Sequence, residues 1–251
     1  MGTEPQTHIN SESHFNIGPP PTHERNESHE SLSWGDSALT IYEKLMVDVK
    51  CLMDLQKLEI KIGNILQART GVREGYLLEH IKRLKKMVED ELKSLIEQFT
   101  IYNVFLSNVK GMGVVNSAKL LYYIYPRMPT TPTFKTRKWV KGKKLEVVEI
   151  KKYRGLRSLY HHAGLHVVNG EAPTVKCGGK CDWNPKFKGL CLGIIGRNLL
   201  FAKDYYFLLY RQFKAEEEKK HPELPKKRIH RRALRKMVKQ FLKDLWGAWM
   251  K

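Results

Sequence analysis

The sequence predicts a mainly α-helical protein, and three observations carry that reading. Apolar residues recur at threes and fours over residues 39–65, 76–99 and 234–249, the period of a helix with one buried face. Glycine and proline gather in short breaks between those stretches, at "RTGVREG" (69–75), at "KGMG" (110–113) and around Pro126, Pro129 and Pro132. Only "LEVVEI" (145–150) has the composition of a strand.

Residues 1–36 read as a disordered tail. They hold "GPPP", many Ser and Glu, and few apolar side chains, so little burial offsets the entropy of ordering them. His8, His14, His23 and His29 are scattered there as solvated residues. A helix is expected from an N-cap at Asp36-Ser37. It carries Leu39, Tyr42, Leu45, Met46, Val49, Leu52 and onward to Ile65. A second helix is expected over 76–109. Residues 37–107 therefore form either a helical hairpin within one chain or a coiled coil between copies, which makes 39–107 a candidate homo-oligomer contact. The glycine turn and a helix from Val115 follow. Next comes an irregular basic segment, 125–153, with a β-hairpin turned at Gly142. Helices are expected at 152–164, 198–221 and 230–249, with a Gly- and Cys-containing loop at 169–196. Residues 108–251 make up the last unit.

The charge is uneven. The chain of 251 residues has 45 Lys+Arg against 26 Asp+Glu, a formal net charge of +19. Residues 1–37 contribute 1 basic and 6 acidic residues, and 38–107 contribute 11 and 10. Residues 108–251 hold the other 33 basic and 10 acidic residues, a net of +23. A field this concentrated points to a polyanion, nucleic acid before an anionic membrane surface. No apolar run approaches the ~20 residues of a membrane span, and the polar, acidic start has no signal-peptide pattern. Four cysteines in 251 residues do not make a secreted disulfide scaffold, so a reduced, cytoplasmic protein is expected and the sequon at Asn26 reads as chance. No cofactor is expected.

In "VKGMGVVNSAKLLYYI" (109–124), Gly111 and Gly113 permit positive φ and close backbone approach. The helix after them would aim unpaired N–H groups at the turn, a phosphate site with Lys110 at its rim. The same turn can serve only to pack two helices. Its pattern resembles a helix-hairpin-helix motif. A second candidate surface is "KTRKWVKGKKLEVVEIKKYRGLRSLY". Lys135, Arg137, Lys138, Lys141, Lys143, Lys144, Lys151, Lys152, Arg154 and Arg157 would meet phosphates there. Trp139, Tyr153 and Tyr160 would stack on bases. The last helix supplies a third. Leu234, Val238, Leu242 and Trp246 with Met237, Phe241, Leu245 and Trp249 make an apolar core stripe. Arg231, Arg232, Arg235, Lys236, Lys239 and Lys243 lie largely outside it. Tyr205, Tyr206 and Tyr210 are expected to pack on this helix.

From Phe105 onward an ordered set of blocks, "KGMGVVNSAKLL", "LRSLYHHAGLHVVNGEAP", "KCGGKCDWNPKFKGLCLGIIGRNLL" and "HPELPKKRIHRRALRKMVKQFLKDLWGAW", resembles the C-terminal domain of the insertion-sequence transposases of families 110, 116 and 902. The resemblance covers more than half of the chain. It implies a DNA partner, or structured RNA as in relatives that use an RNA guide, and a role in transposition or recombination. Two departures stand out. Residues 1–107 show no strand-borne Asp/Glu set like that of the family's RuvC-like domain. At the place of the family's Ser-Gly nucleophile stands Cys177-Gly178-Gly179-Lys180. Cys177, activated by Lys180, is the candidate nucleophile, and a catalytic domain acting in trans is the enzymatic alternative. Interaction through the N-terminal helices is the third reading. Cys177, Cys181 and Cys191 with His162, or with His161 or His166, are a candidate zinc set whose spacing fits no ribbon or finger; free cysteines are the other reading.

Overall fold

The computed structural model describes residues 40–140, 144–168, 170–174 and 181–251, with backbone alone at 137–140 and 144–146. The predicted tail, 1–36, lies outside them, as do Gly142, Cys177 and Lys180.

The chain is mainly helical. Helix α1, Ile41–Thr70, is capped by Thr40; Asp36-Ser37, where the sequence places the cap, lie outside the described residues. Thr40 and Glu43 form a capping box: Thr40 Oγ1 accepts from the Glu43 N–H at 3.2 Å, and Glu43 Oε2 from the Thr40 N–H at 2.9 Å. Gly71, at φ +73°, ends the helix. Helix α2, Tyr76–Ile96, runs back along α1. It does not continue to Val109: α3, Thr100–Val104, and a 3-10 turn, Leu106–Asn108, replace its last stretch. Asparagines account for the break. The Asn103 amide donates to the Glu97 carbonyl at 2.7 Å and Asn108 to the Val104 carbonyl at 3.3 Å, so side chains take carbonyls that a continuing helix would use.

Helix α4, Val114–Ile124, follows the glycine turn. Strands β1, Lys135–Val140, and β2, Lys144–Glu149, pair antiparallel with Lys135 opposite Glu149. Helix α5, Leu156–His162, is shorter than expected. The expected loop over 169–196 ends early, because Asn184 caps α6, Pro185–Gly189, with Pro185 in its first turn. A π-helical stretch, Leu190–Ile195, leads into α7, Gly196–Phe201. Gly196 is a packing residue inside this helical run: a Cβ there would lie 3.0 Å from Val238 Cγ2 and 3.1 Å from Leu234 Cδ1. The single helix expected over 198–221 is broken at Lys203, φ +51°, before α8, Tyr205–Lys220. Helix α9, Lys226–Trp249, begins four residues earlier than the expected start at 230, just after Pro225.

One core runs through these elements. Leu45, Val49 and Leu52 of α1, Ile96 of α2 and Leu121 and Ile124 of α4 join Phe187, Ile195 and Leu199, and Met237, Phe241 and Leu245 of α9. The base of the helical hairpin thus shares a core with 108–251, and no break falls at 107/108. The predicted stripe of α9 is buried at Met237, Val238, Phe241, Leu242 and Leu245. Tyr206 and Tyr210 pack as expected, with their hydroxyls on Asp244 Oδ2 (3.0 Å) and against His230 Nδ1 (2.6 Å); Tyr205 is exposed. No helix among the described residues is long and apolar enough to cross a membrane.

Candidate nucleic-acid interface

The first half of α9 carries the densest positive charge. Arg228, Arg231, Arg232 and Arg235 line one pocket of about 220 Å³ with the backbone turn at Gly170, Glu171 and Ala172. An i, i+3, i+4, i+7 spacing puts these four on one helical face. The isolated bridge between Val168 and Glu171 holds the opposing turn. Among the described residues that line the pocket Glu171 is the one carboxylate, and it takes Arg228 at 2.9 Å.

The arginines are not equivalent. Arg232 ends on Glu217, a residue only 2% exposed, and on His221 Nε2 at 3.0 Å. Lys236 reaches the same Glu217 at 2.7 Å. Burial pushes the Glu217 carboxyl up, but the hydrogen bonds from Lys236 and Arg232 outweigh it and hold it below the ordinary carboxylate range. Arg232 and Lys236 are therefore tied to α8 and serve the fold, a correction to their reading as phosphate contacts. Arg231 is exposed, and no ion pair to it occurs among the described residues. Arg235 is part-buried, and its Nε has no hydrogen-bond partner among them. Burial and the neighbouring Arg232 charge hold its guanidinium below the usual arginine range. A guanidinium shielded from water beside other cations gains most from an anion.

The cluster extends beyond the pocket. Burial, then the Arg235 charge, lower the ammoniums of Lys239 and Lys188. Lys239 lies over the Tyr160 ring at 5.3 Å, and Lys188 over Trp183 at 4.5 Å. Arg228 and Lys188 were not among the sequence candidates. Arg228 precedes the apolar stripe that marks α9 in the sequence, and Lys188 falls within the expected loop over 169–196.

The glycine turn divides. Gly111 adopts φ +96° and lies against α7: a Cβ there would stand 2.8 Å from the Asn198 carbonyl oxygen. It is a packing glycine. Gly113 has φ −73°, does not need positive φ, and faces open space. No side chain caps α4 at Gly113, and Lys110 sits 3.3 Å from Asp204 Oδ2 at the surface. The expectation of two left-handed glycines thus holds for one. The approach of a phosphate is open at Gly113 alone.

Of the hairpin segment, Lys135, Lys151, Arg154 and Arg157 are exposed. Lys152 is not free: its ammonium donates to the Thr131 and Pro132 carbonyls at 2.8 and 2.6 Å. Arg137, Lys138 and Lys144 lie on the strands, while Lys141 and Lys143 fall outside the described residues. Tyr153 is buried against His162, with Oη and Nδ1 2.5 Å apart, and is no base-stacking surface.

Of the candidate zinc set, Cys177 lies outside the described residues, and the described members do not converge as a set. Cys191 is fully buried in the core, and burial raises its thiol far above the ordinary cysteine range. His162 is held by Tyr153, and burial, then the Arg127 and His161 charges, push its imidazole down to about 3. The donors that do converge are His161, His166 and Asp182. Comparison with protein-family models, curated proteins and solved structures finds no match to this chain.

Proposed function

We propose that the protein binds DNA through its phosphate backbone, with the arginine pocket of α9 as the principal contact. It acts in DNA transposition or recombination, as its likeness to the transposase C-terminal domain implies. The observation that carries this reading is the pocket itself: four arginines line it, Arg228 is taken by Glu171 and Arg232 by Glu217, and Arg231 and the shielded Arg235 Nε are left without a partner among the described residues. The net +23 of residues 108–251 supports the same partner. Gly113 at the uncapped start of α4, with Lys135, Lys151, Arg154 and Arg157, supplies further backbone contacts, none of which reads base sequence. Anisotropy titration of a short labelled duplex across about 50–300 mM salt tests this. Affinity falls steeply if phosphates are neutralised, and a flat response refutes the reading. A structured RNA run in parallel decides between the two polyanions.

Exposed apolar residues favour a second reading, self-association through the hairpin. Beyond Leu52, α1 exposes Leu58 and Ile65 at a seven-residue spacing, and α2 exposes Leu77 and Leu84 likewise. Because the hairpin base belongs to the common core, deleting 38–107 would unfold the protein. Paired substitution of Leu77 and Leu84 by Glu is the cleaner test. A sedimentation mass that drops to the monomer supports self-association, and a wild-type chain that is already monomeric refutes it.

A further inference from the structure

We propose that His161, His166 and Asp182 form a binding site for a divalent transition-metal ion of the zinc type, independent of the arginine pocket's role. One donor atom from each residue lies within 4.8 Å of the others, and His161 Nε2 is already 3.0 Å from Asp182 Oδ2. Donors around a bound zinc ion sit about 3.3 Å apart, given metal–ligand bonds near 2.0–2.1 Å. Small side-chain rotations close the difference. The two imidazoles now stack with ring centres 4.3 Å apart; ligation turns their lone pairs toward a common point.

The backbone fixes this arrangement. Helix α5 ends in a Schellman turn: the Leu165 N–H donates to the Tyr160 carbonyl and the Gly164 N–H to the His161 carbonyl, each at 2.9 Å. Gly164, at φ +60°, reverses the chain so that His166 returns beside His161. A Cβ on Gly164 would meet Trp183 Cε3 at 2.6 Å, so the close approach of Trp183 brings Asp182 alongside. The Asn184 N–H donates to the His162 carbonyl at 3.0 Å and pins the second segment to the first.

The electronic setting matches. His166 Nδ1 is shut off from solvent and has no hydrogen-bond partner among the described residues, and a cation supplies one. Two imidazoles and one carboxylate are a donor set for zinc and similar ions, and three protein ligands leave a position for water or an anion. Lys188 and Lys239 both act on His166, and their charge favours an anion in that position.

The test is calorimetric titration of the metal-free full chain with Zn²⁺. One saturable site with a Kd near ~1 μM or tighter is expected. His166→Ala and Asp182→Asn should each weaken it at least tenfold while circular dichroism stays unchanged. Asp182 is 72% exposed at its side chain, so Asp182→Asn keeps the proposal testable even if His166→Ala misfolds. The Co²⁺ form should show the visible bands of a four-coordinate ion without a thiolate charge-transfer band. Absence of a 1:1 site, binding unchanged in Asp182→Asn, or a thiolate band lost in Cys177→Ser or Cys181→Ser would each overturn the proposal.

Discussion

Gly111→Ala is expected to destabilise the protein strongly, and Gly113→Ala hardly at all. At Gly111 two costs add. An L side chain at φ +96° forfeits roughly 1–2 kcal/mol. The new Cβ also stands 2.8 Å from the Asn198 oxygen, 3.0 Å from its carbonyl carbon and 3.3 Å from the Leu199 nitrogen. These are backbone atoms of a helix and cannot swing aside, so overpacking adds about 1–3 kcal/mol. The sum is about 2–5 kcal/mol, or roughly 5–20 °C in Tm for a domain of this size. At Gly113 φ is −73° and nothing lies within 4 Å of a Cβ. Alanine there is neutral, or stabilising by up to ~1 kcal/mol through the unfolded state. Urea unfolding of both variants gives the two values. A Gly111→Ala protein within ~0.5 kcal/mol of wild type, or two equal losses, would refute the division of the turn into a packing glycine and an open one.

Three other outcomes are expected. His162 titrates near 3 in the folded chain against an ordinary 6.5, so the unfolded state holds more protons between those values. Stability then falls with acidification through that window, by at most ~1.4 kcal/mol per pH unit; urea midpoints of His162→Gln should depend less on pH there, and parallel curves would count against it. Lys119 is 8% exposed, donates to Gln56 Oε1 at 2.8 Å with no other hydrogen bond among the described residues, and has its ammonium lowered by burial. Lys119→Met should be neutral or stabilising by ~1 kcal/mol, and a loss of several kcal/mol would show that the charge is needed. Gly113→Val should leave the fold intact but weaken duplex binding several-fold by blocking the start of α4; unchanged affinity removes that contact from the interface.

The parts of the fold that read well from sequence depend on neighbours in the chain. The α9 stripe is visible because Met237, Phe241 and Leu245 repeat at fours on a face that the core needs. The β-hairpin declared itself in "LEVVEI". What did not read well depends on partners far along the chain. The sequence cannot tell that Glu217 claims Arg232 and Lys236, or that two carbonyls claim Lys152. Equal-looking cations therefore divide into structural and free ones only in three dimensions. The glycines 189, 193 and 196 masked a helix that Asn184-Pro185 begins. In sequence His161 and His166 read as candidate ligands beside the cysteines, with no sign of Asp182. Asp182 joins them because a Schellman turn and Trp183 bring the two segments together.

The most direct measurement is the slope of log K against log salt for duplex DNA, with wild type beside an Arg231→Gln, Arg235→Gln double variant. Each phosphate contact contributes about 0.9 to the slope. If both arginines meet phosphates, the variant binds more weakly and its slope is shallower by about 2. Neither residue forms an ion pair among the described residues, so removing the two charges should leave the fold intact. A folded double variant with wild-type affinity and slope would contradict the arginine pocket as the DNA contact.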